Sequence, residues 1–381
     1  MDDSKKAASI KPSVSEAQAV ELVGRLYGRK VSKVQPLPSY DDQNFHVLVS
    51  ATQESGDLSE SYVLKVLNTA DSQDADLVEV QTQVMMFLNR KGFPSPTPIP
   101  TIDGKIMSLE TIKEGNVNKQ HLIRLLTYLP GIPLAKITLD HQNYYELGRT
   151  VAQMDKILLE EFHQSPTKSL YREDFIWNLS NIHLLEKYLH EMEEGETLVI
   201  IKQVIQQFKE KIRPNISKFR KGFIHGDFND CNILQKPVDS PADQVEDKAE
   251  KISPKAALWI SGILDFGDLS YGCLVYELVI AMTYSMIERQ DCLAFGGHTM
   301  AGFESVIPLT DDEREAVFPL VLCRYSQSLV ISRHTLLLHP ENEEYLTIST
   351  RYGRDRLHQL WQVGKEAAER IWFEIVKSYQ R

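Results

Sequence analysis

Apolar residues recur at helical spacing through SVSEAQAVELVGRLYG, a run that opens on serines and stops at Gly28. The pattern then changes. VSKVQPLPSYDDQNFHVLVSAT alternates apolar and polar positions, the polar QESGDLSES interrupts it, and YVLKVL is apolar around a single lysine. This pattern predicts two or more antiparallel strands with a hairpin loop at 53–60. DADLVEVQTQVMMFLNRKG returns to the helical period and ends at Gly92. FPSPTPIPT can be neither helix nor central strand, because its prolines have no N–H to donate. GKIMSLETIK and KQHLIRLLTYLPG read as two further strands around the turn EGN.

From Asp140 onward the period is helical, over 140–162, 174–192 and 196–219. Two short apolar runs break it, one ahead of HGDFNDCN and one ahead of DFGD. Residues 236–257 are polar, charged and contain proline, which predicts a solvated loop. After Tyr271 the chain is mostly helical again. The expected architecture is α+β: a tail at 1–13 without order, an N-terminal sheet-bearing lobe at 14–129, and a larger, mainly helical lobe at 130–381.

With 381 residues, two domains or two lobes of one fold are expected. A net charge of −11 disfavours a nucleic-acid partner, although an acidic protein can still carry a local basic cleft. No apolar run approaches the ~18 residues that a membrane span needs. The first residues lack the apolar centre of a secretory signal. Cys231, Cys273, Cys292 and Cys323 show neither CxxC pairing nor zinc spacing. Reduced thiols in a cytoplasmic protein follow from that usage.

The candidate chemistry lies in the two interrupted runs. Asp227 and Asn232 stand five apart on a loop between apolar segments, and they meet at one point if the loop curls. A carboxylate can take a proton from a hydroxyl or orient it. An amide oxygen is a neutral, hard ligand suited to Mg²⁺. Asp265, at the end of the second apolar run, adds an anionic oxygen. Each residue alone reads equally well as a turn or capping position. Together they form the minimal set for metal-assisted phosphoryl transfer to an alcohol, in which a protein mainly positions groups and neutralises charge.

HGDFNDCN resembles the HGDxxxxN catalytic loop of the aminoglycoside phosphotransferase family, and ILDFGD resembles that family's metal-binding strand. The resemblance implies a bilobal protein-kinase-like fold, Asp227 as catalytic base, and Asn232 and Asp265 as Mg²⁺ ligands. His225 and Gly226 would then shape the loop. A lysine within a strand, as in YVLKVL, by itself reads as solvent-facing; the resemblance implies instead that Lys65 contacts the nucleotide phosphates. Its carboxylate partner is expected on the following helix, at Glu79, with Gln81 an alternative occupant of that slot. The phosphate-covering loop is PLPSYDDQNFHV, which departs from a protein-kinase GxGxxG by having no glycine between Leu37 and Gly56. Tyr40, Asp41, Gln43 and Asn44 are its candidates. LLTYLPG resembles the family's hinge, so the backbone of Thr127, Tyr128 and Leu129 would bond a purine edge, which leaves ATP and GTP undistinguished.

A protein kinase is disfavoured. HRD is replaced by HGD, no Ala-Pro-Glu appears, and DFGD runs almost directly into the apolar CLVYELVIAMTYSMI. The acceptor should therefore be a small alcohol. The family pocket is expected around Trp177 and Asn178, with Arg324 or Arg333 (His334 follows) as a cation for a substrate carboxylate. Asp268 and Glu277 are candidates for a substrate ammonium, although Glu277 needs a partner if its apolar helix buries it. From about residue 15 to the end, the chain resembles one branch of the family, which implies a hydroxylated amino acid as acceptor and GTP as donor. Kinases for homoserine, choline or an aminoglycoside are the alternatives. A non-catalytic binding module is a different class of reading. It predicts loss of Lys65, Asp227, Asn232 or Asp265, and all four are present.

Overall fold

A computed structural model describes residues 11–50, 60–236, 260–287, 291–340 and 350–380. The expected hairpin loop at 53–60 and the loop at 236–257 fall almost wholly outside these, as does 1–10. Residues 11–13 belong to the folded part, contrary to expectation. Lys11 Nζ donates to the Ser39 and Tyr40 carbonyls, and the Ser13 N–H donates to Glu114 Oε1 at 2.7 Å. The chain divides into two compact units: Met1–Leu129 with Pro166–Leu170 and His334–Ile348, and Pro130–Ser165 with Tyr171–Arg333 and Ser349–Arg381.

In the first unit, helix α1 (Glu16–Tyr27) starts with a capping box between Ser15 and Gln18. An antiparallel sheet follows, of β1 (Val31–Leu37), β2 (Gln43–Val49), β3 (Glu60–Val66), β4 (Pro98–Ile99), β5 (Ser108–Glu114) and β6 (Val117–Thr127). Its order is β1-β2-β3-β6-β4, with β5 also on β6. The proline-rich segment thus supplies only a two-residue edge strand, where a missing N–H costs nothing. Phe45, Val47, Leu64, Val66 and Leu125 bury one face of the sheet together with Leu22 and Val23 of α1. Strand β3 is central, and its Lys65 is opposite Asn44 on one side and Arg124 on the other. Helix α2 (Ala75–Arg90) is capped by the Asp74 side chain.

The second unit starts with β7 (Ile132–Pro133) and α3 (His141–Glu161). The helix expected over 174–192 is a 3₁₀ segment, Leu179–Glu191, with a kink at Asn181. The one expected over 196–219 is α4 (Glu196–Gln207), followed by a π turn and a 3₁₀ turn, Arg213–Lys218. Pro214 explains the break, since it cannot donate to the α-helical ladder. Two small antiparallel pairs carry the motifs. β8 (Lys221–Ile224) pairs with β11 (Ser270–Cys273), and β9 (Ile233–Gln235) pairs with both β10 (Ile260–Ile263) and β7. Helices α5 (Leu274–Met286), α6 (Cys292–Glu304), α7 (Asp311–Leu338), α8 (Thr350–Val363) and α9 (Lys365–Tyr379) complete the chain. α5 is buried almost throughout, including Glu277. α3 and α6 cross at Gly148 and Gly302, where any side chain would strike the facing Thr299 or Tyr145 carbonyl. No described helix is long and apolar enough to cross a membrane.

Candidate active site

The loop after β8 is shaped by His225 and Gly226. His225 is fully buried; its Nδ1 accepts the Asp227 N–H, which leaves Nε2 to donate to the Leu264 carbonyl at 2.8 Å. Burial lowers its pKa, against the pull of Asp227, the Leu264 bond and Asp265, so the ring acts as a neutral brace. Gly226 has φ +81, and a Cβ there would run into the Asp268 backbone. The turn therefore admits glycine alone without strain.

Beyond the turn, Asp227 and Asn232 do converge. Asn232 Nδ2 donates to Asp227 Oδ2 at 2.8 Å and to the Asp227 carbonyl at 3.0 Å. Asn229 Nδ2 donates to the same Oδ2 at 2.9 Å, while its own Oδ1 accepts the N–H groups of Cys231 and Asn232. Fixing the Asn232 amide in this way turns its Oδ1 away from Asp227. Pairing of Ile233 with Ile263, and of the Leu264 N–H with the Asn232 carbonyl, puts Asn232 and Asp265 at the same end of the β9–β10 pair. Asp265 is exposed and has φ +58, a left-handed conformation that aspartate tolerates better than most residues. Two side-chain oxygens at one strand end fit a hard divalent cation that keeps its remaining positions for water and phosphate.

Asp227 Oδ1 accepts from Arg324 Nη2 at 2.8 Å. Arg324 is 1% exposed. Its guanidinium lies 5.0 Å from the Trp177 ring centroid and 5.5 Å from that of Tyr284. Nη1 donates to Gln327 Oε1, whose amide in turn donates to the Ile176 carbonyl. Burial opposes the charge, but Tyr284, Asp227 and Asp268 hold the arginine above its ordinary pKa. Arg333 lies nine residues, or two and a half turns, further along α7 and so on the opposite face. There its Nε donates to the Glu191 carbonyl. It is not brought to Asp227.

Trp177, Asn178, Gly226, Asp268 and Tyr276 line a small pocket. Burial, then Asp227, pushes the Asp268 carboxyl well above the ordinary aspartate range. Asn178 caps the 3₁₀ helix, its Oδ1 accepting the Ser180 N–H at 2.9 Å, so its polar end is already committed. Glu277 is not open to a substrate ammonium. It is fully buried and accepts the Gly226 N–H at 3.1 Å.

In the first unit, Lys65 Nζ pairs with Asp42 at 2.9 Å. Glu79 is on the exposed side of α2, where it accepts from Gln83, whereas Gln81 is buried. The expected Glu79 partner is thus corrected to Asp42, which is anchored by the N–H and amide of Asn68. The choice of a helix position overlooked the acid one residue before Gln43 at the start of β2. Asn44 faces Lys65, and its Oδ1 is buried without a donor. Gln43 binds both backbone groups of Val14. Of the three hinge amides, Thr127 donates to Thr97 and Tyr128 to Ser61, both within the unit. Sequence reasoning also missed Asn229, Tyr284 and Gln327. Asn229 sits inside the quoted motif, but the other two have only an apolar helix around them as a signal.

Residues 33–241 match the family model described as the phosphotransferase enzyme family. The chain belongs to that family. Relatives described as hydroxylysine kinase are 47% identical in Mus musculus (98% of this chain, 96% of the relative) and 46% identical in Bos taurus (100% and 98%). The Danio rerio hydroxylysine kinase is 44% identical, over 97% of this chain and 98% of the relative. Among solved structures, an amicoumacin kinase in complex with AMP-PNP, Ca²⁺ and Ami aligns with a TM-score of 0.62 at 16% identity, covering 94% of this chain and 100% of that one. A microcompartment-associated aminopropanol kinase aligns at 0.60 and 17%, covering 91% and 98%. This phosphotransferase therefore has the protein-kinase-like fold and is a small-molecule kinase.

Proposed function

We propose that the chain transfers the γ-phosphoryl group of GTP, with Mg²⁺, to the hydroxyl of 5-hydroxy-L-lysine, giving 5-phosphohydroxylysine and GDP. The carrying observation is Arg324, a buried cation bonded to Asp227. An acceptor that brings its own carboxylate suits such a site, and an aminoglycoside or choline, which lacks one, does not. The near-full-length similarity to proteins named hydroxylysine kinase supports the same acceptor.

Asp227 orients the acceptor hydroxyl and takes its proton as the oxygen–γ-phosphorus bond forms and the bond to the β-phosphate oxygen breaks. Asn232 Oδ1 and Asp265 would hold Mg²⁺, which when bound supplies charge neutralisation on the phosphates. Lys65, steadied by Asp42, meets phosphate oxygens, with Asn44 beside it. Because the Thr127 and Tyr128 amides are engaged in the unit, the Leu129 amide is the donor we assign to the base edge. Trp177 and Asp268 wall the acceptor pocket, and Asp268 faces its ammonium end. The four cysteines, none of them in a disulfide, suit a cytoplasmic enzyme of lysine degradation.

The test is nucleoside diphosphate release by the purified chain. GTP or ATP with Mg²⁺ is offered against hydroxylysine, lysine, homoserine, choline and kanamycin, with Asp227→Asn as the blank. Release confined to hydroxylysine, and faster with GTP, is expected. The blank should bind nucleotide and turn over roughly 10²–10⁴-fold more slowly. Release with choline or kanamycin in place of hydroxylysine overturns the acceptor, and full turnover by Asp227→Asn overturns the base.

A further inference from the structure

Among the described residues, two that are not glycine have a left-handed backbone: Asp265 (φ 58) and Arg172 (φ 47). Aspartate visits that region readily, because its short polar side chain bonds locally. Arginine has no such local bond, and holding it there costs on the order of 1 kcal/mol or more. Glycine would fill the same turn without strain. The position is therefore explained by what the arginine side chain does, not by what its backbone needs.

The turn is held closed by its own neighbours. The Phe175 N–H donates to the Arg172 carbonyl at 3.1 Å. Asn181 Nδ2, at the kink of the 3₁₀ segment, donates to the Arg172 carbonyl at 3.3 Å and to that of Phe175 at 2.9 Å. The guanidinium lies 3.8 Å from the Phe175 ring centroid, so an aromatic ring carries the cation. From that seat Nη1 donates to the Gly267 carbonyl at 2.9 Å, across 95 residues of sequence. The Gly267 N–H in turn donates to Asp265 Oδ1, at 3.4 Å. The two strained residues thus meet at one glycine, Asp265 on its N–H and Arg172 on its carbonyl. The N–H bond is long, whereas the bond from Arg172 is short and charge-assisted.

We infer that Arg172 is a positioning residue for the metal centre: by holding Gly267 it keeps Asp265 in its left-handed turn, with the carboxylate ordered for a divalent cation. The inference rests on Asp265 being the metal ligand proposed above. Arg172 acts through Gly267 and not on the reacting atoms. A ligand that is itself pinned loses less freedom when the cation binds, and the cation binds more tightly for it.

The experiment is calorimetric titration of the full-length chain with GTP, and separately with ATP, each with and without Mg²⁺ and without acceptor. It reads the metal dependence apart from turnover. Arg172→Gly removes the guanidinium and relieves the backbone in one change. Its denaturation midpoint should equal or exceed that of wild type, while nucleotide affinity without Mg²⁺ stays unchanged. The gain in affinity on adding Mg²⁺ should shrink roughly 10-fold or more, the scale typical when the partner of a metal ligand is lost. If Arg172→Gly is destabilised, Arg172→Asn, which also accepts the left-handed backbone, is read by the same titration. A metal response equal to wild type in the folded variant overturns the inference. Asp265→Asn serves as the reference. Loss of the metal response there beside a full response in Arg172→Gly overturns the inference alone, whereas a full response in both overturns the assignment of Asp265 and the inference with it.

Discussion

Arg324 donates through Nη2 to Asp227 Oδ1 at 2.8 Å, across 97 residues of sequence. The base assigned to the acceptor hydroxyl is thus held by a buried cation on one oxygen and by two amides on the other. An acceptor carboxylate reaching Arg324 competes for a guanidinium that already has an acidic partner. Arg324→Gln should raise the KM for hydroxylysine roughly 10–100-fold, as expected for loss of a charge-assisted bond worth about 1.5–3 kcal/mol. The decarboxylated amino alcohol should be affected far less, and the KM for nucleotide not at all. Steady-state kinetics with both acceptors decide it, and equal losses on the two would remove Arg324 from carboxylate recognition.

Asp265 combines a left-handed backbone with the role proposed for it, that of an anionic metal ligand. Asparagine accepts that backbone almost as readily, so Asp265→Asn tests the charge with little strain. The expected result is an unchanged unfolding transition with nucleotide affinity that no longer responds to Mg²⁺. Calorimetric titration of nucleotide with and without Mg²⁺ measures this. A metal dependence equal to wild type would assign the ligand elsewhere.

What was legible in the sequence was local. Asp227 and Asp265 each come just after a short apolar strand and Asn232 just before one, and such polar punctuation of apolar strands is a pattern that one sequence displays. The β2–β3–β6 strands alternate or carry apolar runs for the same reason. What was not legible depends on distant packing. Arg324 and Arg333 read alike on α7, and only the 2.5-turn offset against the rest of the unit separates them. Asp155 in LGRTVAQMDKILL reads as a polar position of an amphipathic helix, yet it is buried because α3 is covered on that side. The run over 196–219 was periodic enough to read as one helix, and the single missing N–H of Pro214 outweighed the pattern.

The carboxylate on Lys65 shows the same limit. A helix position was expected, and Glu79 supplied the right residue type, but the partner is Asp42, two positions before Asn44. Asp42 is also held by Asn68, so it reaches Lys65 pre-ordered. Asp42→Ala should therefore raise the KM for nucleotide about tenfold, while Glu79→Ala leaves it within twofold, since exposed side chains typically contribute within ±0.5 kcal/mol. Parallel nucleotide titrations of the two variants are sufficient. Equal effects would mean that the lysine is organised from α2 after all.

The buried acids also set a sign for stability against pH. Burial raises Glu277 from 4.5 to about 7, and it raises Asp155 well above its ordinary value. A carboxyl raised in the folded state binds its proton more tightly there than in the unfolded chain. Its contribution is complete below the unfolded pKa and is lost as pH climbs to the folded one. Between about pH 4.5 and 7 the wild type should therefore lose on the order of 3 kcal/mol from Glu277, and Asp155, whose ordinary value lies lower still, adds to the loss through the same window and above it. Asp155→Asn removes one titrating group and the repulsion it exerts on its neighbour. Its denaturation midpoint should lie below or near that of wild type at pH 5 and above it at pH 8. Urea melts at the two pH values measure the crossing, and a constant difference between the proteins would show that Asp155 holds no proton in the folded chain.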